Sequence, residues 1–170
     1  PTLIQCESLT LGVDMSVSGG NARQTPTVSG AREIRMTYTA SGATARALRG
    51  SFRVFVAATM TSPVTASSLL QLWLSYGSAG AVDKGTGVAY SQTFGSAGSE
   101  RHLIDLGTVS FDAPGAVDPA PVMWVQSEVV GITSVTIDYD FLLLVPVDES
   151  ALVAEFASST SPDDPTLGAA

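Results

Sequence analysis

TSVTIDYDFLLLV, residues Thr133–Val145, divides into two halves that obey different rules. In the first half Val135, Ile137 and Tyr139 share one parity while Ser134, Thr136, Asp138 and Asp140 take the other, the period of two expected of a strand covered on one side. In the second half Phe141, Leu143 and Val145 continue the apolar parity, but Leu142 and Leu144 fill the parity the aspartates held. Strict alternation therefore requires a second cover over that end of the strand, from the same chain or from a neighbouring subunit. On that reading Leu142 and Leu144 are the candidate assembly interface. Pro146 lacks the N–H a ladder needs and ends the run.

Working outward, other short alternating segments recur with turn chemistry between them, and none sustains a helical period. Leu9, Leu11, Val13, Met15 and Val17 alternate up to the turn at Gly19-Gly20-Asn21. Ile34, Met36 and Tyr38 form an inward stripe, with Glu33, Arg35 and Thr37 outward. Phe52, Val54, Val56, Ala58 and Met60 share a face, as do Leu70, Leu72, Leu74 and Tyr76. Gly77 to Gly87 reads as an exposed glycine-rich loop, Val88 to Phe94 as a weaker strand, and Leu103 to Phe111 and Val122 to Val130 as strands joined by a proline-studded connection. Connections of such unequal length fit an all-β fold, a single antiparallel jelly-roll-like β-sandwich of about eight to ten strands, better than an up-and-down barrel. The sandwich is expected over residues 1–148, with a flexible C-terminal extension or linker over 149–170, where ASSTSPDDPTLGAA has no apolar period.

Composition narrows the function classes. A chain of 170 residues is one domain in size, and its charged share of 14% is low against an average of about 25%. Such a surface suits a protein held in an assembly or on a particle. The net charge is −8, with residues 1–53 carrying six arginines against Glu7, Asp14 and Glu33, so the acids concentrate in the remainder. That acidic majority repels phosphate backbones, and nucleic acid is not an expected partner. No apolar run approaches the roughly 18 residues of a spanning helix, and no membrane partner is expected. Cys6 is the only cysteine, which removes intramolecular disulfides and cysteine-based metal sites and leaves it the role of a small buried hydrophobe.

Few constellations carry chemistry. His102 is the only histidine, no G-x-S-x-G elbow accompanies it, and the chain reads as a non-enzyme with no catalytic residue. Asp138 and Asp140 project from one face about 6 to 7 Å apart, a weak match to paired glycosidase carboxyls. With loop carbonyls they could take calcium, the one cofactor left open, or they could pair with arginines of the first third. Trp73 and Trp124 each fall on the polar parity of their strands, beside Gln71 and Gln126 respectively. An aromatic ring flanked by amides is what a glycan platform needs; the same placement suits packing under a loop or against another subunit.

The segments HLIDLGTVSF (His102–Phe111) and SVTIDYDFLLLVPVDE (Ser134–Glu149), with the long Pro/Gly connection between them, resemble the C-terminal sandwich domains of minor tail proteins from tailed phages of actinobacteria. Endings of this kind also occur in jelly-roll carbohydrate-binding modules. The resemblance implies a jelly roll in a virion, in the tail or tail tip rather than the head, with itself as homo-oligomer and other virion proteins as partners. A module engaging host-surface glycans through Trp73 or Trp124, and a capsid decoration protein, are the alternatives. It transfers no site residues, since these are strand motifs.

Overall fold

The computed structural model of the chain describes residues 1–41, 48, 50–60, 68–78, 84–85, 90–94, 101–111, 121–130 and 135–147. The strands are β1 (Thr2–Gln5), β2 (Thr10–Leu11), β3 (Met15–Ser18), β4 (Asn21–Gln24), β5 (Glu33–Thr39), β6 (Gly50–Met60), β7 (Ser68–Ser78), β8 (Lys84–Gly85), β9 (Tyr90–Phe94), β10 (Arg101–Phe111), β11 (Pro121–Val130) and β12 (Ile137–Pro146). Cys6–Ser8 makes one 3-10 turn, and no α-helix occurs among the described residues. The extension expected over 149–170 lies outside them.

Four antiparallel pairs nest one inside the next: β7 with β9, β6 with β10, β5 with β11, and β4 with β12. The nested hairpin is rolled up, so that β12 also lies beside β6 and β11 beside β7. The result is two sheets, sheet A ordered β10-β6-β12-β4-β3 and sheet B ordered β2-β5-β11-β7-β8. Eight strands in this nested order are a jelly roll. Short additions extend the edges: β1 joins β12, β3 joins β4, β2 joins β5 and β8 joins β7. The glycine-rich loop expected over Gly77 to Gly87 thus gives up Gly77 and Ser78 to β7 and Lys84 and Gly85 to β8.

Between the sheets lies one core, to which sheet A gives Phe52, Val54, Val56, Leu142 and Leu144 and sheet B gives Leu70, Leu72, Leu74, Met123 and Val125. Alternation places these side chains inward along β6, β7 and β11, as the sequence leads one to expect. Burying a side chain of this size contributes about 1.5 to 3 kcal/mol, which makes this core the main source of stability.

Three register breaks alter the alternation elsewhere. In β5, Val125 and Gln126 of β11 face Met36 and Ile34, so Arg35 is an extra residue. The expected inward stripe holds for Met36, which is buried, and Tyr38, which packs against the core, but Ile34 is 40% exposed and Arg35, expected outward, is buried. In β10 the register shifts between Asp105 and Gly107, where Gly107 has a φ of 97°. Inward positions pass from Ile104 and Leu106 to Val109 and Phe111. The glycine supplies the backbone angle that the bulge demands.

The third break is in β12, between Tyr139 and Leu142, and it falls where the strand's far edge changes partner from β4 to β1. Ile137 and Tyr139 point inward before it, and Leu142 and Leu144 point inward after it, all four fully buried.

The expected single strand through Leu9, Leu11, Val13, Met15 and Val17 is also corrected. The chain leaves β2 in sheet B and enters β3 in sheet A, turning at Asp14 with a φ of 59°, and Val13 and Val17 are exposed. Aspartate tolerates this left-handed angle better than most residues. Gly19 and Gly20, with φ of 60° and 79°, then form the two-residue loop between β3 and β4.

A polar clamp joins the sheets through the core. Arg35 donates from Nε to Ser127 Oγ at 3.0 Å and from Nη1 to the Val13 carbonyl at 2.8 Å, with Asp14 Oδ2 at 3.4 Å. Ser127 Oγ in turn donates to Gln24 Oε1 at 2.8 Å, and Tyr139 Oη donates to the same oxygen at 2.8 Å. A buried guanidinium is tolerated only with partners of this kind. Burial pushes the Tyr139 hydroxyl above its ordinary pKa, so it remains a donor.

Cys6 is fully buried, and burial, followed by the charges of Asp140 and Glu7, pushes its thiol pKa up. Since the thiolate is the reactive form, Cys6 should resist a thiol-specific disulfide reagent in the folded protein and react stoichiometrically once the protein is unfolded in guanidinium. Rapid labelling under native conditions would contradict this placement.

Candidate assembly surface

The break in β12 turns one face of the jelly roll apolar. From Phe141 onward the outward positions are Phe141, Leu143 and Val145, each only half-buried. Leu143 stands opposite Leu3 of β1 on one side and Phe55 of β6 on the other, and Phe55 stands opposite Asp105 of β10. One row further along, Leu103 faces Ala57. Leu3 and Leu103 are 53% and 57% exposed. A solvated outer face of an antiparallel sheet is normally polar at such positions. Leu3, Leu143 and Phe55 thus form an apolar row across three neighbouring strands, with Leu103 of β10 one row away across Ala57.

Leu142 and Leu144 were expected to lie beneath a neighbouring layer. They do, but that layer is sheet B of their own domain, and both are fully buried. The correction follows from the extra residue at the bulge, which swaps the two parities: the leucines at 142 and 144 enter the core, and Phe141, Leu143 and Val145 take the outer face.

Two ion pairs edge this face. Arg53 Nε donates to Asp105 Oδ2 at 2.8 Å, and its guanidinium lies 5.8 Å from the Phe55 ring centre. Arg101 pairs with Asp140, and its guanidinium lies 5.0 Å from the Phe141 ring centre. Exposed pairs of this kind add little to stability, and their weight lies in the shape and charge of the surface. The Arg53 hydrogen bond holds the Asp105 carboxyl below its ordinary value of 3.8, helped by the Gly107 N–H at 2.9 Å and opposed by partial burial. A depressed carboxyl contributes stability that is complete above its unfolded value and fades as pH falls through the folded one. The melting-temperature gap between wild type and Asp105→Asn should therefore be steady near neutral pH and narrow as pH falls below the carboxyl's ordinary value of 3.8. An unchanged gap at low pH would contradict the assignment.

Asp138 and Asp140, the carboxylates left open for calcium, are both engaged. Arg23 donates to both oxygens of Asp138, at 2.6 and 2.7 Å, across the β4–β12 pair, and Asp140 is held by Arg101. Among the described residues, no three His, Cys, Asp or Glu side chains gather as a metal site.

The other four sequence candidates lie together on the outer face of sheet B. Pairing of β7 with β11 sets Trp73 opposite Gln126, Ser75 opposite Trp124, and Gln71 opposite Glu128. Trp73 is only 7% exposed, because the Arg32 guanidinium lies 4.4 Å above its ring. Arg32 Nε also donates to Gln126 Oε1 at 3.1 Å. Trp124 is half-buried. A sugar stacking on Trp73 would have to displace Arg32, a contact worth about 0.5 to 1 kcal/mol. Alternation signalled the outward tryptophans, but nothing in the sequence signalled the arginine above one of them.

No family model matches the chain, and no curated protein matches it. Among solved structures the chain is similar to one titled "Structure of infectious bursal disease virus Gt strain", at 12% identity and a TM-score of 0.34. The match covers 89% of this chain and 43% of that one, so this chain spans less than half its length.

Proposed function

We propose that this chain is a non-enzymatic structural subunit of a virus particle that works by assembling with copies of itself and with other particle proteins. The observation that carries the reading is the apolar outer face of sheet A, set on a jelly roll, an architecture that recurs in viral capsid proteins as well as in lectins. The finer placement, in the tail or tail tip of a phage of actinobacteria rather than as a head decoration protein, rests on the resemblance of His102–Phe111 and Ser134–Glu149 to minor tail proteins. Static light scattering of the purified chain should give a fixed multiple of the 17.5 kDa chain mass. A monomer at every concentration would contradict the proposal.

A second reading draws on Trp73, Trp124, Gln71 and Gln126 sharing one face, and makes that face a glycan platform. It expects tryptophan fluorescence to change on titration with cell-wall polysaccharide and Trp124→Ala to remove most of the change. A flat response across a panel of glycans would exclude it.

A further inference from the structure

We infer that Arg32 is a receptor for the carboxylate of an acidic sugar, with Trp73 as the pedestal beneath its guanidinium and Trp124 beside it as the stacking surface for the sugar ring. This deepens the glycan reading and rests on it. Arg32 carries the argument because its charge is uncompensated. Among the described residues the other arginines, Arg23, Arg35, Arg53 and Arg101, each meet an aspartate. Arg32 meets a neutral amide instead, its Nε and Nη2 both donating to Gln126 Oε1, at 3.1 and 2.5 Å. The chain has 16 acids against 8 lysines and arginines, so a shortage of carboxylates is not the reason.

The guanidinium is also fixed in advance. It lies 4.4 Å from the Trp73 ring centre, and the chain just before it is tied down twice. The Gly30 N–H donates to the Val129 carbonyl of β11 at 2.8 Å, and the Ala31 carbonyl accepts from Nη2 of the buried Arg35 at 3.3 Å. A side chain ordered before the ligand arrives loses less freedom on binding. Gln126 takes the Nε–Nη2 edge, which leaves the Nη1 side of the exposed guanidinium for a ligand. A planar carboxylate meets such a fork with two parallel hydrogen bonds.

The neighbours select a sugar. Trp124 stands two residues along β11 from Gln126, between Thr37 of β5 and Ser75 of β7, while Ile34 flanks Gln126 itself. Trp124 is half-buried, and among the described residues no cation lies over its ring. An open aromatic ring with hydroxyls beside it suits a pyranose that carries one carboxylate and several hydroxyls. Glu33, next in the chain, and Glu128, two residues from Gln126 on β11, confine the positive charge to one point. That disfavours a run of acidic side chains and accepts a polymer with a single acid on each sugar.

The test is tryptophan fluorescence titration with oligogalacturonate and with its neutral methyl ester, on the full chain, on Arg32→Ala and Arg32→Lys, and on Arg53→Ala as a control on the other sheet. Circular dichroism establishes folding, and Arg32→Lys decides the matter should Arg32→Ala fail to fold. Wild type and Arg53→Ala should bind the acid about tenfold or more tighter than the ester. Arg32→Ala should lose that preference and gain affinity for the ester, because the uncovered Trp73 ring then offers a second stacking surface. Arg32→Lys should fall between, keeping the charge without the planar fork. Arg32→Ala weakening both ligands alike would mark a structural role and overturn the assignment. Equal binding of acid and ester by wild type, or a preference that survives Arg32→Ala, would overturn Arg32 as the selecting residue while leaving the platform standing. Binding of neither by wild type would overturn the inference, and the platform as well where other glycans are also inert.

Discussion

Leu142→Ala should lower the free energy of unfolding by about 2 to 5 kcal/mol, the range for truncating a large side chain at a fully buried position. Its neighbour Leu143→Ala should lower it by less, about 1 kcal/mol, because that side chain lies on the outer face of sheet A and is only partly buried. The contrast is the point of the experiment. Uninterrupted alternation would put Leu142 on the outer face and Leu143 in the core, and the bulge between Tyr139 and Leu142 reverses that order. Urea unfolding at a protein concentration low enough to suppress association reads both values directly. Equal effects, or a larger one at Leu143, would contradict the register described here.

Gly12→Ala should be at least as damaging, since the added Cβ would lie 2.1 Å from the carbonyl oxygen of Ile34. Backbone, and not a flexible side chain, occupies that space, so the β2–β5 contact must open. The Gly12 N–H bond to the Arg35 carbonyl at 2.9 Å would go with it. Arg35 would then lose its grip on the adjacent Val13 carbonyl and Asp14, which leaves a buried guanidinium short of partners, and removal of one side of such a buried pair costs about 3 to 5 kcal/mol. Reduced soluble yield and a melting temperature lowered by many degrees are expected. A variant that melts with wild type would show that the approach at Gly12 is looser than described.

These two positions show where sequence reasoning succeeds and where it stops. The inward stripes of β6, β7 and β11 were legible because their period of two is unbroken, and Trp73 and Trp124 were legible as outward for the same reason. The nested strand order was foreseeable only as a class, because unequal connection lengths suggest a jelly roll without stating which strands pair. Bulges escape a parity argument altogether. In β10 the passage from Ile104 and Leu106 to Val109 and Phe111, with Gly107 between, was a readable signal. In β12 no glycine marks the break, and a run apolar on both parities is equally consistent with an outer cover or with one extra residue. In β5 the extra residue is an arginine, which propensity places outside and the clamp of Ser127, Val13 and Asp14 holds inside.

The candidate surface was half visible. The run Phe141–Val145 stands out in the sequence because it is apolar on both parities, but which parity enters the core depends on the bulge, and Leu142 and Leu144 are the pair inside. Leu3, Phe55 and Leu103 come from strands far apart in the chain, and only the pairing of β1, β12, β6 and β10 brings them beside Leu143. The ion pairs that edge the face also cross between strands, so their partners were beyond reach of the sequence, although arginines of the first third were expected to meet acids of the remainder. Arg23 with Asp138 and Arg53 with Asp105 do so, whereas Asp140 meets Arg101.

The most direct measurement is an experimental density map of the assembled protein, at a resolution that shows side chains. It should find Leu143, Phe141 and Leu3 covered by a neighbouring copy, and Leu142 and Leu144 inside the jelly roll. A map in which Leu142 and Leu144 face the neighbour, or in which the outer face of sheet A is open to solvent in the finished assembly, would contradict the account.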